Sequence, residues 1–207
     1  MPQVICIAGR LAAGKTTLVR SLSRELGASA LLFDEYQDTC DWPPDLNAWL
    51  AAGADTSLVS NARLSKDLAA LVTGESVRHP LTDKTVAATD LILLEDPFGR
   101  TRPDISPLID HVLFVDLPSD LSVVRLMQRG MNVSSLDMAA SEIEQLSKDE
   151  ATQRLLVMRL WLANYLALRE MYVVVSDRVR DSSDHVLDAR GSQEELLSAA
   201  LKTIRNL

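Results

Sequence analysis

The chain has 207 residues, of which 47% are hydrophobic and 24% charged, and its formal net charge is −8. This length and composition are typical of one globular domain with a sizeable core, and the negative charge argues against DNA or RNA as a partner. The two cysteines lack metal-ligand spacing, and the sequence shows neither a secretory leader pattern nor an apolar run long enough to cross a bilayer. We therefore expect a reduced, cytoplasmic protein without a membrane partner.

Short apolar strands alternate with longer helices in the predicted order of elements. "QVICIA" predicts a buried strand because it is rich in β-branched residues and uncharged, and "KTTLVRSLSRELG" predicts a helix that ends at a glycine. The later predictions are a strand "ASALLF", a short helix "LNAWLAAG", a helix over 57–74, strands "TDLILLE" and "DHVLFVDL", a helix "SDLSVVRLMQR", a helical pattern over 135–170 broken near Ser147, a strand "HVLDA" and a closing helix "SQEELLSAALKTIRNL". Apolar strands separated by helices predict an α/β fold with a parallel sheet covered on both faces.

The stretch "GRLAAGKTT" (9–17) follows the first predicted strand, opens the first predicted helix and matches the pattern G-x-x-x-x-G-K-[ST]. Its glycines let successive backbone N–H groups converge into an anion-binding nest at the helix N-terminus. In this P-loop (Walker A) pattern the lysine reaches the β and γ phosphates, and the next hydroxyl binds Mg²⁺. The candidate nucleotide-binding residues are therefore Gly9, Ala12, Ala13, Gly14, Lys15, Thr16 and Thr17.

Acidic residues follow two of the predicted strands. Asp34 comes directly after the second strand, and Glu95 and Asp96 end the third. Because ligands gather at the carboxyl ends of parallel strands, all three are expected on the same rim as the P-loop. Asp34 is a candidate general base for an acceptor hydroxyl, and either Glu95 or Asp96 is a candidate to hold Mg²⁺ together with Thr16. The competing interpretations are a turn-forming aspartate and a solvent-facing strand end.

Several further side chains are candidates for the site. Arg125 and Arg129 lie four residues apart, so they share one helix face. Together with Lys15, they are candidates to stabilise a migrating phosphoryl group. The alternative is that both arginines are solvated at the surface. The candidate acceptor-binding residues in the region 34–83 are Asp34, Tyr36, Trp42, Arg63, His79 and Asp83. Packing, solvation or surface ion pairing is the competing interpretation for each of these residues.

The order of these motifs resembles the uridine kinase-like group of P-loop small-molecule kinases, which also holds pantothenate kinase and phosphoribulokinase. The segments that carry the resemblance are "GRLAAGKTT", "LLFDEY", "LSKDLAALVTGESVRHPLTD", "LILLEDPF", "HVLFVDLPSDLSVVRLMQR" and "DHVLDARGSQEEL". The resemblance implies a P-loop NTPase three-layer sandwich with a five-stranded parallel sheet in the order 2-3-1-4-5. It also implies ATP and Mg²⁺ as donor, Asp34 as base, acceptor contacts from "HPLTD" and a helical lid over about 125–154, all within a single domain over 1–207.

The chain departs from the family pattern where the acceptor is expected. Leu81, Thr82 and Asp83 follow Pro80, so the family's P-x-Y-D tyrosine is missing, and Asp96 stands for the glycine of Glu-Gly. We therefore expect transfer of the γ-phosphoryl group of ATP to a hydroxyl of a small molecule: a nucleoside, a sugar, a vitamin precursor or a specialised metabolite. A nucleoside monophosphate kinase and a non-catalytic nucleotide-binding regulatory module are the alternatives, and a homodimer is compatible with the sequence.

Overall fold

A central sheet of five parallel strands organises the protein, which we describe from a computed structural model over residues 2–131 and 147–207. The strands of the chain are β1 (Gln3–Gly9), β2 (Ser29–Leu32), β3 (Val77–Arg78), β4 (Thr85–Val86), β5 (Leu91–Glu95), β6 (His111–Asp116) and β7 (His185–Asp188). The central sheet has the order β2-β5-β1-β6-β7, while β3 and β4 form a separate antiparallel hairpin. Counted within the central sheet, this is the expected order 2-3-1-4-5.

The first strand lies in the middle of the sheet and is buried on both faces. Ile5 is in register with Leu93 of β5 on one side and with His111 of β6 on the other. Alternate residues enter different cores, since Cys6 belongs to one buried cluster and Ile7 to the other. An uncharged, β-branched run suits this position because neither face of the strand meets water.

Helices cover both faces of the sheet. They are α1 (Lys15–Leu26), α2 (Leu46–Ala51), α3 (Ala62–Val72), α4 (Ser119–Met131), α5 (Lys148–Asp181) and α6 (Gln193–Ile204). On one face, Leu22 of α1 and Ala200 of α6 share a buried cluster with the sheet. On the other face, Leu68 of α3 and Val179 of α5 do the same. The expected three-layer α/β sandwich is therefore confirmed.

Two helix boundaries differ from the sequence prediction because of local capping. The third helix begins at Ala62 rather than near 57, since the buried Asn61 side chain accepts a hydrogen bond of 3.0 Å from the backbone of Leu64. The fifth helix begins after Ser147, where Ser147 and Glu150 form a capping box, and it continues to Asp181 instead of ending near 170.

Other differences concern the two regions expected around the acceptor. The hairpin of β3 and β4 was not predicted, because each strand has only two residues and no alternating pattern. The expected lid, over about 125–154, includes residues 132–146, which lie outside the described residues. Within 2–131 and 147–207, no helix combines the length and the hydropathy that a bilayer crossing requires.

Candidate active site

The loop between β1 and α1 has the backbone conformation of an anion-binding nest. Gly9 has φ +148°, and a Cβ there would collide with the backbone of Val115 in β6. Gly14 precedes α1 with φ +93°, and a Cβ there would lie 2.5 Å from Nε2 of Gln193. Ala12 adopts φ +57°, an uncommon conformation for a residue with a side chain, which points to a functional constraint on the loop. The free N–H groups at the start of α1 therefore open onto a cradle suited to phosphate.

Three side chains converge beside this loop. Lys15 donates to the carbonyl oxygen of Arg10 at 3.1 Å, and its Nζ lies 3.9 Å from Oε1 of Glu95. The hydroxyl of Thr16 donates to Oε2 of Glu95 at 3.4 Å. The Glu95 side chain is only 4% exposed. Burial raises the pKa of Glu95 to about 7. The charge of Asp34 also raises this pKa, whereas the charge of Lys15 lowers it.

This group of residues fits Mg²⁺. A hydroxyl and a carboxylate are the oxygen ligands that the ion prefers, and the buried Glu95 charge is incompletely compensated by Lys15. In the part of the chain that the structure describes, no three His, Cys, Asp or Glu side chains form a metal-binding group of their own. Proteins usually hold Mg²⁺ through one or two side chains together with the phosphates of a substrate.

Asp96, the neighbour of Glu95, faces away from this cluster and is fully buried. One carboxylate oxygen accepts a hydrogen bond of 2.9 Å from the backbone of Phe98, and the other pairs with the guanidinium of Arg102. The guanidinium carbon lies over both the Phe33 and the Phe98 ring, at 5.4 and 5.6 Å from their centroids. Burial raises the pKa of Asp96, and Arg102 opposes the rise. Of the two candidate magnesium ligands, only Glu95 lies beside Thr16.

Asp34 lies in a cavity of about 450 Å³ that begins at the phosphate loop. It belongs to a turn of 3-10 helix, Phe33–Thr39, directly after β2, and it accepts a hydrogen bond of 3.0 Å from Gln37. The residues that line the cavity are Gly9, Leu11, Lys15, Phe33, Asp34, Gln37, Trp42, Leu46, Glu95, Pro97, Phe98, Leu168, Met171, Tyr172, Val175 and Ser176. The carboxyl ends of β2 and β5 thus place Asp34 and Glu95 in one cavity with Lys15.

Two aromatic candidates for acceptor binding have different positions. Trp42 lines the cavity, with its ring edge-on to Trp49 at 6.3 Å and to Phe98 at 6.0 Å. Tyr36 is buried beneath the turn and donates to Oδ2 of Asp67 at 3.0 Å. Burial and the Asp67 charge raise the pKa of Tyr36, so its hydroxyl stays protonated. Trp42 is therefore available to a bound molecule, whereas Tyr36 supports the turn that carries Asp34.

The other three acceptor candidates lie outside the cavity wall. Arg63 lies over the ring of Tyr36 at 5.9 Å. His79 meets Oε2 of Glu35 at 3.1 Å from its Nε2. Asp83 is exposed in the turn of the β3–β4 hairpin, where its φ is +55°. The structure does not bring these three side chains to Asp34.

The two candidate arginines of α4 also contact other partners. Arg125 donates to the carbonyl oxygen of Ala189, just after β7, at 2.8 Å. The guanidinium carbon of Arg129 lies 5.9 Å from the ring centroid of Trp161 in α5. Neither arginine lines the cavity that holds Lys15.

Residues around the candidate site that the sequence did not indicate come from α5 and from the phosphate loop itself. Helix α5 supplies one wall of the cavity through Leu168, Met171, Tyr172, Val175 and Ser176. The available signal was its uncharged stretches, over 160–168 and 171–176, because the second supplies four of these five residues and the first supplies Leu168.

Arg10 was also missed, although it lies inside the phosphate loop. Its guanidinium donates to Asp116 of β6 at 3.0 Å and to Asp177 of α5 at 2.7 Å. The first pair attaches the phosphate loop to the central sheet, and the second attaches it to the helix that forms one wall of the cavity. Nothing in the local sequence indicates them, because both partners are more than 100 residues away.

The chain is similar in sequence to several curated uridine kinases. The enzyme of Halobacterium salinarum is 29% identical over 139 residues, which cover 60% of this chain and 61% of the relative. Those of Bacillus cereus and Ligilactobacillus salivarius are 31% and 29% identical over 143 and 146 residues, in each case 62% of this chain and 66% of the relative. The alignments thus span less than two thirds of these relatives, and no protein-family model matches the chain. These similarities confirm the resemblance to the uridine kinase-like P-loop kinases.

Proposed function

We propose that the protein is an ATP-dependent kinase that transfers the γ-phosphoryl group to a hydroxyl of a small molecule. The observation that carries the proposal is the meeting of Asp34, Lys15 and Glu95 at the phosphate-loop end of one cavity. The similarity in sequence to curated uridine kinases supports it.

The donor would bind at the loop between β1 and α1. The backbone N–H groups at the start of α1, from Gly14 to Thr17, would hold the phosphates, aided by the N-terminal dipole of the helix. Thr16 and Glu95 would hold Mg²⁺, which neutralises phosphate charge when it is bound. Lys15, already directed towards Glu95, would compensate the negative charge of the group being transferred.

Asp34 would act as the general base. The acceptor hydroxyl gives its proton to the Asp34 carboxylate as its oxygen bonds to the γ-phosphorus. The bond from that phosphorus to the β–γ bridging oxygen breaks, and ADP leaves with the electron pair. Gln37, which donates to Oδ1 of Asp34, holds the carboxylate in place for this step. Such a transfer depends mainly on positioning and charge compensation.

The cavity wall favours a hydroxyl acceptor over a phosphate acceptor. A nucleoside monophosphate kinase has to bind a second phosphate, which requires several cations. Among the lining residues that the structure describes, Lys15 is the only cation, and it lies at the donor end. Asp34 in the same wall would repel a phosphate acceptor.

Replacement of Asp34 by Asn tests the proposal. We expect acceptor-dependent ADP release to fall by a factor of about 100 or more, since the carboxylate no longer takes the proton. Nucleotide affinity, measured by calorimetry, should stay within about twofold, since Asn keeps the size of the side chain and removes one negative charge. The acceptors to use are uridine, ribose, pyridoxine and phenylpropanol, with mass spectrometry of the products.

Asp38→Asn is the matched control, because Asp38 lies in the same turn, is exposed and does not line the cavity. We expect this variant to keep full turnover. Full turnover in Asp34→Asn would refute the role of Asp34 as base. An absence of acceptor-dependent ADP release in the unmodified protein, despite nucleotide binding, would instead favour a regulatory module.

A further inference from the structure

The part of the cavity away from the phosphate loop is walled by apolar and aromatic side chains. Phe33 and Phe98 meet edge to face at 5.5 Å, and Trp42 lies edge-on to Phe98. The chain has three Trp, three Tyr and three Phe in total, and four of these nine line this one cavity. Aromatic side chains concentrated in this way provide edges and faces against which a flat apolar ring packs.

Helix α5 closes the same space with further apolar groups. Leu168, Met171 and Val175 lie at spacings of three and four residues, so they form one face of the helix towards the cavity. The thioether of Met171 adapts to the shape of a bound group and contacts rings favourably. Tyr172 follows on this wall, where burial and the charge of Asp34 raise the pKa of its phenol.

Polar groups in the wall are few and lie mostly at one end. Lys15, Asp34 and Glu95 are beside the phosphate loop, and Gln37 is engaged with Asp34. The remaining polar groups among the lining residues that the structure describes are the Ser176 hydroxyl, the Tyr172 phenol and the Trp42 indole N–H. A nucleoside or sugar presents several hydroxyl, carbonyl or imino groups, which is more than these three side chains can pair. Each group left unpaired loses its water on entry without compensation.

We infer that the acceptor is an alcohol whose single reacting hydroxyl is attached to an apolar, ring-containing body. The hydroxyl lies at Asp34, and the ring lies among Trp42, Phe98 and the α5 face of Leu168 and Met171. This inference rests on the proposed kinase function and names the substrate class of that site. A volume of about 450 Å³ suits a molecule of one or two rings.

A comparison of two acceptor sets tests the inference. The first set contains phenylpropanol, coniferyl alcohol and naphthylmethanol, and the second contains uridine, ribose and glycerol. With ATP and Mg²⁺, we expect kcat/KM for ADP release to be at least about tenfold higher for the best member of the first set, because its apolar body is matched by the wall. Mass spectrometry must show the phosphorylated alcohol.

The outcomes separate this inference from the function on which it rests. Phosphorylation of uridine or ribose, with none of the ring alcohols, overturns the substrate class and leaves the kinase proposal standing. If the protein binds ATP but phosphorylates neither set, the kinase proposal has failed and the inference falls with it.

A change in the α5 wall gives an independent test. In Met171→Gln, we expect KM for the ring alcohol to rise about tenfold, with kcat and ATP affinity within about twofold, because a polar amide replaces an apolar contact. Leu168→Gln serves as a second variant of the same wall. Leu166→Gln is the control, because Leu166 lies on the same helix and is 71% exposed. An unchanged KM in both wall variants would overturn the inference.

Discussion

Replacement of Glu95 by Gln should stabilise the protein in the absence of nucleotide and Mg²⁺ while weakening its function. The carboxylate of Glu95 is 4% exposed, and its compensating partner Lys15 lies 3.9 Å away. Burial raises the pKa of Glu95 from its ordinary value of 4.5 to about 7. At neutral pH the unfolded chain ionises this group more readily than the folded protein does, which lowers the free energy of unfolding. Gln keeps the size of the side chain and removes that ionisation.

The magnitude follows from the shift in pKa. A difference of about 2.5 pKa units between the folded and unfolded states corresponds to about 3 kcal/mol. Below pH 4.5 the carboxyl is protonated in both states, so it costs the fold nothing. As the pH rises from 4.5 to 7, the unfolded chain ionises first and the free energy of unfolding falls by this amount. Glu95→Gln should not show that loss.

The assay is urea unfolding of both proteins at pH 5 and pH 7.5 without nucleotide or metal. We expect the stability advantage of Glu95→Gln over the unmodified protein to grow by about 2 kcal/mol between these two pH values. Glu25→Gln is the control, because Glu25 is exposed on α1 and its change should give no comparable gain. An advantage that stays constant with pH would show that ionisation of Glu95 costs the fold nothing, and a variant that is less stable at pH 7.5 would show the same.

Two other variants test the phosphate loop and the buried pair of Asp96 and Arg102. In Gly14→Ala, we expect nucleotide affinity measured by calorimetry to fall about tenfold or more, because φ +93° is strained for any residue with a side chain and relief of that strain would reshape the loop. Gly27→Ala, also left-handed but remote from the loop and with open space around it, should lose about 1 kcal/mol of stability and keep its affinity. Equal affinities in these two variants would contradict the role of the cradle. In Arg102→Met, we expect the free energy of unfolding measured in urea to fall by about 3–5 kcal/mol, because Asp96 is left buried without its cation. The double variant with Asp96→Leu should regain most of this stability. A loss below about 1 kcal/mol in the single variant would show that the pair is dispensable.

The elements that the sequence predicted well are those determined by neighbouring residues. The apolar run before "GRLAAGKTT" and the glycines within it specify a strand, a tight loop and a helix without reference to the rest of the chain. The rule that parallel strands end on one rim was enough to place Asp34 and Glu95 together, because it depends on topology rather than on side-chain packing.

The features that the sequence left open depend on partners far along the chain. Glu95 and Asp96 are equivalent as sequence, yet successive residues at the end of a strand point in opposite directions, and Arg102 receives only the second. Tyr36 likewise follows Asp34 closely, but Asp67 in α3 draws its hydroxyl into the core. Which of two adjacent polar residues faces the cavity is decided by packing, and a local pattern does not contain that information.

The attachment of Arg10 has a mechanical consequence. One guanidinium joins the loop that would hold the donor to Asp177 on the helix that forms the acceptor wall. A tilt of α5 that widened the entrance must break that ion pair or pull the loop out of shape. Because the Asp177 side chain is 52% exposed and an exposed ion pair contributes at most about 1 kcal/mol, we expect the coupling that this pair would create between a bound donor and a bound acceptor to be weak.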